Sequence, residues 1–190
     1  MKATEQGRVQ VYDTSFNPVR MYWRQFHDDW LPDGFAPFNI WNIGGNLYVA
    51  YAQQSSNRQY NISGPGLGYV DVFSPSGSLL HRLEHGAWFN APWGLAVAPS
   101  DFGLFSHDIL VGQFGSGEIL AFDPVTGRFK GKLLDTNNIP ITINGLWALS
   151  SGNDGSAGAA TALYFSAGPD GVNGLLGTIT PVQNIEGNDQ

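Results

Sequence analysis

A motif that recurs along the chain constrains the fold more than any other feature of the sequence. In each copy, a glycine precedes an alternating apolar run, a turn rich in Pro, Gly or Asn, and a second short run. The copies begin at Gly7, Gly68, Gly117 and, in a weaker form, Gly174. An apolar period of two residues is typical of half-buried β-strands and not of helices. The chain is therefore predicted to be an all-β repeat protein.

Two further short apolar runs complete each repeat and keep the same order. The first lies at residues 37–41, 92–97 and 143–149, and the second at residues 46–50, 108–112 and 162–166. Four short strands that recur about every 50 to 60 residues are typical of β-propellers, in which each repeat forms one four-stranded antiparallel blade. The turn at residues 123–127 has Pro early and Gly late, as a hairpin requires. We therefore expect Gly127→Val to be more damaging than Gly115→Val.

The repeats predict one domain, residues 1–190, that holds about half of a six-bladed ring. Residues 7–24 supply the third and fourth strands of one blade, and residues 141–180 supply the first three strands of the last. Complete blades are predicted at residues 35–85 and 90–135, while the polar residues 182–190 offer no further strand. Because both ends are unpaired, we expect the ring to be closed in a homodimer or by the remaining half of a longer propeller chain.

Composition argues against several classes of partner. The net charge is −7 and the nine Lys and Arg residues form no basic stripe, so neither nucleic acid nor an anionic membrane is an expected partner. The chain has no cysteine, which excludes disulfides, thiolate zinc sites and cysteine nucleophiles. It has no apolar stretch long enough to insert in a membrane, and its first residues lack the apolar core of a signal peptide.

The segments 12–19, 35–40, 90–96, 122–127 and 163–169 resemble NHL-type β-propellers. More closely, they resemble the C-terminal half of an uncharacterised family of secreted bacterial propellers, some of which end in an exosortase sorting tail. The resemblance covers nearly the whole chain. It implies a β-propeller in an extracellular or periplasmic location and implies no specific activity.

Three tryptophans on or beside the inner strands are candidate ligand-binding residues. Trp41, Trp93 and Trp147 could line a channel mouth and stack on a glycan or an aromatic small molecule. The alternative, which we favour, is that these large rings fill the space between neighbouring blades.

Two asparagines are the candidate metal ligands. Asn39 and Asn144 fall at matching points of the predicted inner strands, and oxygen ligands at such positions suit Ca²⁺. The sequence offers no carboxylate pair beside them, and the alternative is that both amides satisfy backbone groups. No cofactor is therefore expected, with Ca²⁺ as the one candidate.

The sequence contains no convergent set of acid, base and nucleophile. Residues 27–30, His-Asp-Asp-Trp, form the densest polar cluster with an imidazole, and we interpret them as a solvated turn. We therefore predict a non-catalytic propeller scaffold or binding module. The alternative is a calcium-dependent, lactonase-like hydrolase with the ion over the propeller axis.

Overall fold

Three antiparallel sheets follow one another along the chain in the computed structural model, which describes residues 7–171 and 173–182. The first sheet has the order β1-β2-β4-β5, with β3 paired to β2, and the second has the order β6-β7-β8-β9. The third has the order β10-β11-β12. The strands are β1 (Phe35–Ile43), β2 (Asn46–Gln54), β3 (Asn61–Ile62), β4 (Tyr69–Phe73), β5 (Leu79–Arg82), β6 (Pro92–Val97), β7 (Ile109–Gln113), β8 (Ile119–Phe122), β9 (Phe129–Lys132), β10 (Leu146–Ser151), β11 (Leu163–Ala167) and β12 (Leu175–Ile179).

This architecture confirms the predicted all-β fold with four-stranded antiparallel sheets. Helical structure in the described part of the chain is limited to two three-residue 3₁₀ turns, Gly103–Phe105 and Pro169–Gly171. Strands occur at each of the positions that the repeat predicts from residue 35 onward. The first strands of the three sheets lie side by side, since β6 contacts both β1 and β10.

The hairpin turns form where the repeat places Gly late in the turn. Gly127 has a φ of +69° and donates its backbone N–H to the Asp123 carbonyl at 2.9 Å. The Asp123 carboxylate accepts from the Thr126 backbone N–H at 2.7 Å, which fixes the turn before β9. Because residues with a β-carbon rarely adopt this φ, the glycine at position 127 favours this turn.

Apolar side chains on both faces of the second sheet form two cores. One core joins it to the first sheet through residues that include Val70, Val72, Val111 and Phe122. The other joins it to the third sheet through residues that include Ile119. The second sheet is therefore buried on both faces, as an interior blade would be.

Residues 7–24 differ from the predicted pair of strands. Within them the only ladder contact in the described structure is the isolated bridge between Tyr12 and Pro18. The Asp13 carboxylate accepts backbone N–H groups from Ser15 and Asn17, at 2.9 and 2.8 Å, and so holds the chain in a tight turn. A second turn, in which Gln25 donates its backbone N–H to the Tyr22 carbonyl, ends the other arm.

This N-terminal hairpin nevertheless covers the outer face of the first sheet. Val9, Val11 and Met21 pack against a core that contains Val49 and Phe73. Residues 7–24 therefore lie on the face where a preceding sheet would pack, with far less pairing than the prediction gave them.

In the described residues there is no helix of the length and apolarity needed to span a membrane. The prediction that the C-terminal segment adds no strand concerns residues 182–190, and from residue 183 onward these lie outside the described residues.

Candidate ligand-binding surface on the inner strands

The first strand of every sheet carries one extra residue relative to its partner strand. In β1 the register shifts between Pro37 and Asn39, and in β6 it shifts between Pro92 and Gly94. A third shift falls between Leu146 and Leu149 of β10. A β-bulge of this kind removes a residue from the ladder and changes the direction of its side chain.

Each of the three bulges contains one aromatic residue. Phe38, Trp93 and Trp147 each come directly after the last paired residue before the shift. The bulges therefore place one aromatic ring per sheet at the same height along neighbouring strands.

Together with Phe114, which follows β7, these rings form an inner-strand aromatic cluster. Trp93 and Trp147 meet edge to face with their ring centroids 5.2 Å apart. Phe114 contacts Trp147 at 4.8 Å and Phe38 at 6.1 Å. All four residues are half-buried, so the cluster keeps part of its ring surface in contact with solvent. Edge-to-face geometry at these distances is favourable for aromatic pairs.

Close contacts between the sheets hold the cluster in place. Asn39 donates from Nδ2 to the Trp93 carbonyl oxygen at 2.7 Å, which links β1 to β6. At the equivalent position of β6, a β-carbon on Gly94 would lie 2.5 Å from the Trp147 carbonyl oxygen. The glycine thus permits β6 and β10 to approach each other at the cluster.

The structure places the sequence-predicted site residues in different surroundings. Trp93 and Trp147 come together in the cluster, whereas Trp41 lies further along β1, opposite Tyr48 of β2, with 37% of its surface exposed. Asn39 is on the first sheet, with its Oδ1 accepting from the Ile40 backbone N–H at 2.9 Å. Asn144 precedes β10 and bonds Asp170 Oδ1 at 3.5 Å.

The two asparagines therefore do not occupy equivalent positions, contrary to the prediction. The bulge register shows that Asn39 corresponds to Gly94, and that Asn144 lies in the loop before its sheet begins. In residues 7–171 and 173–182, three or more His, Cys, Asp or Glu side chains do not gather into a group that could hold a metal ion.

Sequence reasoning missed Phe38 and Phe114. The signal for Phe38 was available, because Phe38 and Trp93 both follow a proline at the start of an inner strand. Phe114 follows a second strand, and only the packing of β7 against β10 brings it to the cluster.

Sequence reasoning also missed a polar site that lies between the first sheet and residues 24–34. Arg82 donates from Nε to Asp71 Oδ1 at 2.7 Å and from a terminal nitrogen to Asp28 Oδ2. Asp71 is fully buried and Asp28 is 6% exposed. The Arg82 guanidinium also lies 4.7 Å from the centroid of the Tyr69 ring. These contacts form a buried carboxylate–guanidinium–carboxylate triad.

Within the triad, the surroundings of Asp71 disfavour its charged form. Burial raises the pKa of Asp71 from 3.8 to about 6, although Arg82 opposes the shift, and the charge of Asp28 adds to it. Asp71 Oδ2 is buried and accepts no hydrogen bond within the described structure. By the repeat, Asp71 occupies the position that Leu120 holds on β8, so the triad is a polar substitution in a core-facing row.

Two uncharacterised proteins of Acanthamoeba polyphaga mimivirus are similar to this chain. One is 34% identical over 184 residues, which cover 95% of this chain and 48% of the relative. The other is 33% identical over 186 residues, which cover 95% of this chain and 45% of the relative. The chain thus spans about half the length of the curated relatives it matches. These relatives are viral, and the resemblance to secreted bacterial propellers stays a prediction.

The likeness to solved structures is distant. Hydrazine synthase of Kuenenia stuttgartiensis aligns with a TM-score of 0.40 and 14% identity, over 76% of this chain and 46% of that chain. Virginiamycin B lyase of Staphylococcus aureus aligns with a TM-score of 0.37 and 9% identity, over 94% of this chain and 64% of that chain. No family model matches the sequence.

Proposed function

We propose that this chain is a non-catalytic β-propeller binding module whose inner-strand aromatic cluster stacks on a sugar ring or another flat small molecule. The observation that carries the proposal is the placement of an aromatic ring at the same bulge in three successive sheets. Half-buried tryptophans offer ring faces and edges to a ligand, and they lose little side-chain freedom because the sheet already holds them.

The chemistry of the cluster supports binding over hydrolysis. Phe38, Trp93, Phe114 and Trp147 supply neither an acid nor a base nor a nucleophile. The calcium-dependent hydrolase has less support, because both polar atoms of the Asn39 amide are engaged by backbone groups. An extracellular or periplasmic location stays a prediction of the sequence resemblance.

The test is a titration of the protein with sugars and flat aromatic molecules. Binding is measured by the change in intrinsic tryptophan fluorescence and by calorimetry. For a ligand that binds, Trp147→Ala should weaken affinity by about fivefold or more, because a lost stacking contact costs about 1 kcal/mol. Trp147→Phe keeps a ring and should retain part of the affinity. Trp30→Ala is the control, because Trp30 is 85% exposed, lies before β1 and is not part of the inner-strand aromatic cluster.

The result that would overturn the proposal is equally specific. Ligand binding that is unchanged in Trp147→Ala and lost on calcium chelation would move the function to a metal site. Failure of every sugar and aromatic molecule to change tryptophan fluorescence or release heat would also contradict it.

A further inference from the structure

The third strand of each complete sheet packs two apolar side chains against the following sheet. On β4 these are Val70 and Val72, which contact the second sheet. On β8 they are Ile119 and Ala121, which contact the third sheet. Each pair follows the glycine of the repeated motif by two and four residues.

In the described residues no sheet follows the fourth copy of the motif. On β12 the corresponding residues are Leu176 and Thr178, and both are exposed, Leu176 at 77%. In addition, β12 is the outer strand of a three-stranded sheet, whereas β4 and β8 are each covered by a fourth strand. An uncovered edge with an exposed leucine is a template for another chain.

The other end of the row of sheets has a matching surface. The outer face of the first sheet is covered by the first copy of the motif, through Val9 and Val11. In the described residues this arm is held to residues 17–19 by the Tyr12–Pro18 bridge, whose two backbone bonds run from Val19 N–H to the Val11 carbonyl and from Asp13 N–H to the Asn17 carbonyl. Because Leu176 and Val9 occupy the same motif position, β12 of another copy fits the surface that residues 8–12 cover.

Charge distinguishes the two ends in a complementary way. Residues 7–24 contain three arginines, Arg8, Arg20 and Arg24, and one carboxylate, Asp13. From residue 133 to the end the sequence has five acidic residues and no Lys, Arg or His. The N-terminal hairpin is thus net positive, whereas the charged residues of the described segment with the third sheet, Asp135, Asp154 and Asp170, are all acidic. Opposite charges at two surfaces favour their association and make it sensitive to salt.

We propose that two copies of this chain associate with two-fold symmetry through these ends. In each contact β12 of one copy takes the place of residues 8–12 on the first sheet of the other, and residues 18–22 lie beside it as the fourth strand. This pairing reproduces the antiparallel contacts of β4 with β5 and of β8 with β9. The six sheets of the two copies then form one closed ring, and two-fold symmetry makes its two contacts identical.

The relatives of about twice this length agree with the same arrangement, since one such chain could contain both halves of a ring. The proposal does not depend on the ligand-binding function, because Leu176 and the hairpin are separate from the inner-strand aromatic cluster. A protein that binds no sugar could still form the dimer, and a monomer could still bind one.

The first test is the mass of the purified chain by light scattering after size exclusion. We expect twice the chain mass of 20.6 kDa in low salt, with dissociation as salt increases. Leu176→Glu should raise the dissociation constant by about tenfold or more, because it places a charge in an apolar contact. Since Leu176 is exposed in one copy, this variant should fold normally. Val125→Glu is the control, because Val125 is 84% exposed at the turn before β9.

The second test uses the absence of cysteine from the chain. Thr178→Cys copies are mixed with Arg20→Cys copies and treated with a short bis-maleimide cross-linker. We expect cross-linked pairs that contain one copy of each, and far fewer when Val125→Cys replaces Arg20→Cys. A monomer at every protein and salt concentration would overturn the proposal. A dimer unaffected by Leu176→Glu, or an open series of larger oligomers, would overturn the two-fold contact.

Discussion

Arg82 donates a hydrogen bond from Nε to Asp71 Oδ1 at 2.7 Å, directly across the antiparallel pair of β4 and β5. The same guanidinium contacts Asp28, so two buried carboxylates share a single cation. The contact between Arg82 and Asp28 joins the first sheet to residues 24–34. Because both carboxylates depend on Arg82, the three residues should contribute unequally to the free energy of unfolding.

Removing the arginine should be much more costly than removing Asp71. Arg82→Met leaves two carboxylates buried without a cation, and we expect the free energy of unfolding to fall by about 3 kcal/mol or more. Asp71→Leu loses the bond from Arg82 Nε, but it keeps the pair of Arg82 with Asp28, removes an oxygen that has no hydrogen bond and introduces the leucine found on β8, so its cost should be smaller, about 1 to 2 kcal/mol. Urea unfolding measures both, with Arg128→Met on the exposed turn before β9 as the control. Equal costs for the two variants would contradict the assigned roles.

The pH dependence of stability should carry the signature of Asp71. Burial raises its folded pKa from 3.8 to about 6, so the folded state holds this proton more tightly than the unfolded state does. For an acid with a raised pKa, the stabilising contribution is fully present below pH 3.8, is lost as pH rises through 6, and is constant above that. The unfolding free energy of the wild type minus that of Asp71→Asn should therefore decrease across this window. A difference that increases with pH, or that does not change, would show that the raised pKa is wrong.

Gly94 should tolerate no side chain. A β-carbon there would lie 2.5 Å from the Trp147 carbonyl oxygen, so β6 and β10 would have to separate. We expect Gly94→Ala to reduce the unfolding free energy by about 1 to 3 kcal/mol and to weaken the near-ultraviolet circular dichroism of the Trp93–Trp147 pair. Gly174→Ala is the matched control, because a β-carbon on Gly174 would meet nothing within 4 Å and its φ lies outside the left-handed region. Loss of stability in both variants alike would point to glycine flexibility instead of close packing.

The sequence predicted the sheets well because their strands are local and periodic. Val70 and Val72 repeat at a period of two residues, and the glycine of each hairpin turn lies just before the strand that follows. Gly127 is such a case, and its φ of +69° agrees with the predicted turn. Gly115 shows the limit of this reasoning, because a β-carbon there would collide with the Asn90 side chain. Gly115→Val is therefore expected to be damaging as well, because the space at Gly115 depends on a residue in a distant turn, and the greater cost of Gly127→Val stays a prediction.

The candidate site was predicted only in part, because it also depends on contacts between segments that are distant in the sequence. The sequence indicated Trp93 and Trp147, but it could not give the bulge register that separates Trp41 from them. Asn39 and Asn144 looked equivalent because each precedes an apolar run by one or two residues. The strand pairing of β10 begins at Leu146, so Asn144 lies before the strand. In a strand, a shift of one or two residues is enough to place a side chain at a different position. The partners of Arg82 likewise come from two distant segments, and no periodic pattern marks them.

The three bulges have a consequence for how this surface can change. A bulged residue takes no part in strand pairing, so a different side chain there leaves the neighbouring hydrogen bonds intact. The strand pairing can therefore stay constant while Phe38, Trp93 or Trp147 is exchanged, and an exchange of either tryptophan changes only the ring contacts within the cluster. Descendants of one such gene could acquire new ligand preferences by single substitutions, each made without refolding the sheet that carries it.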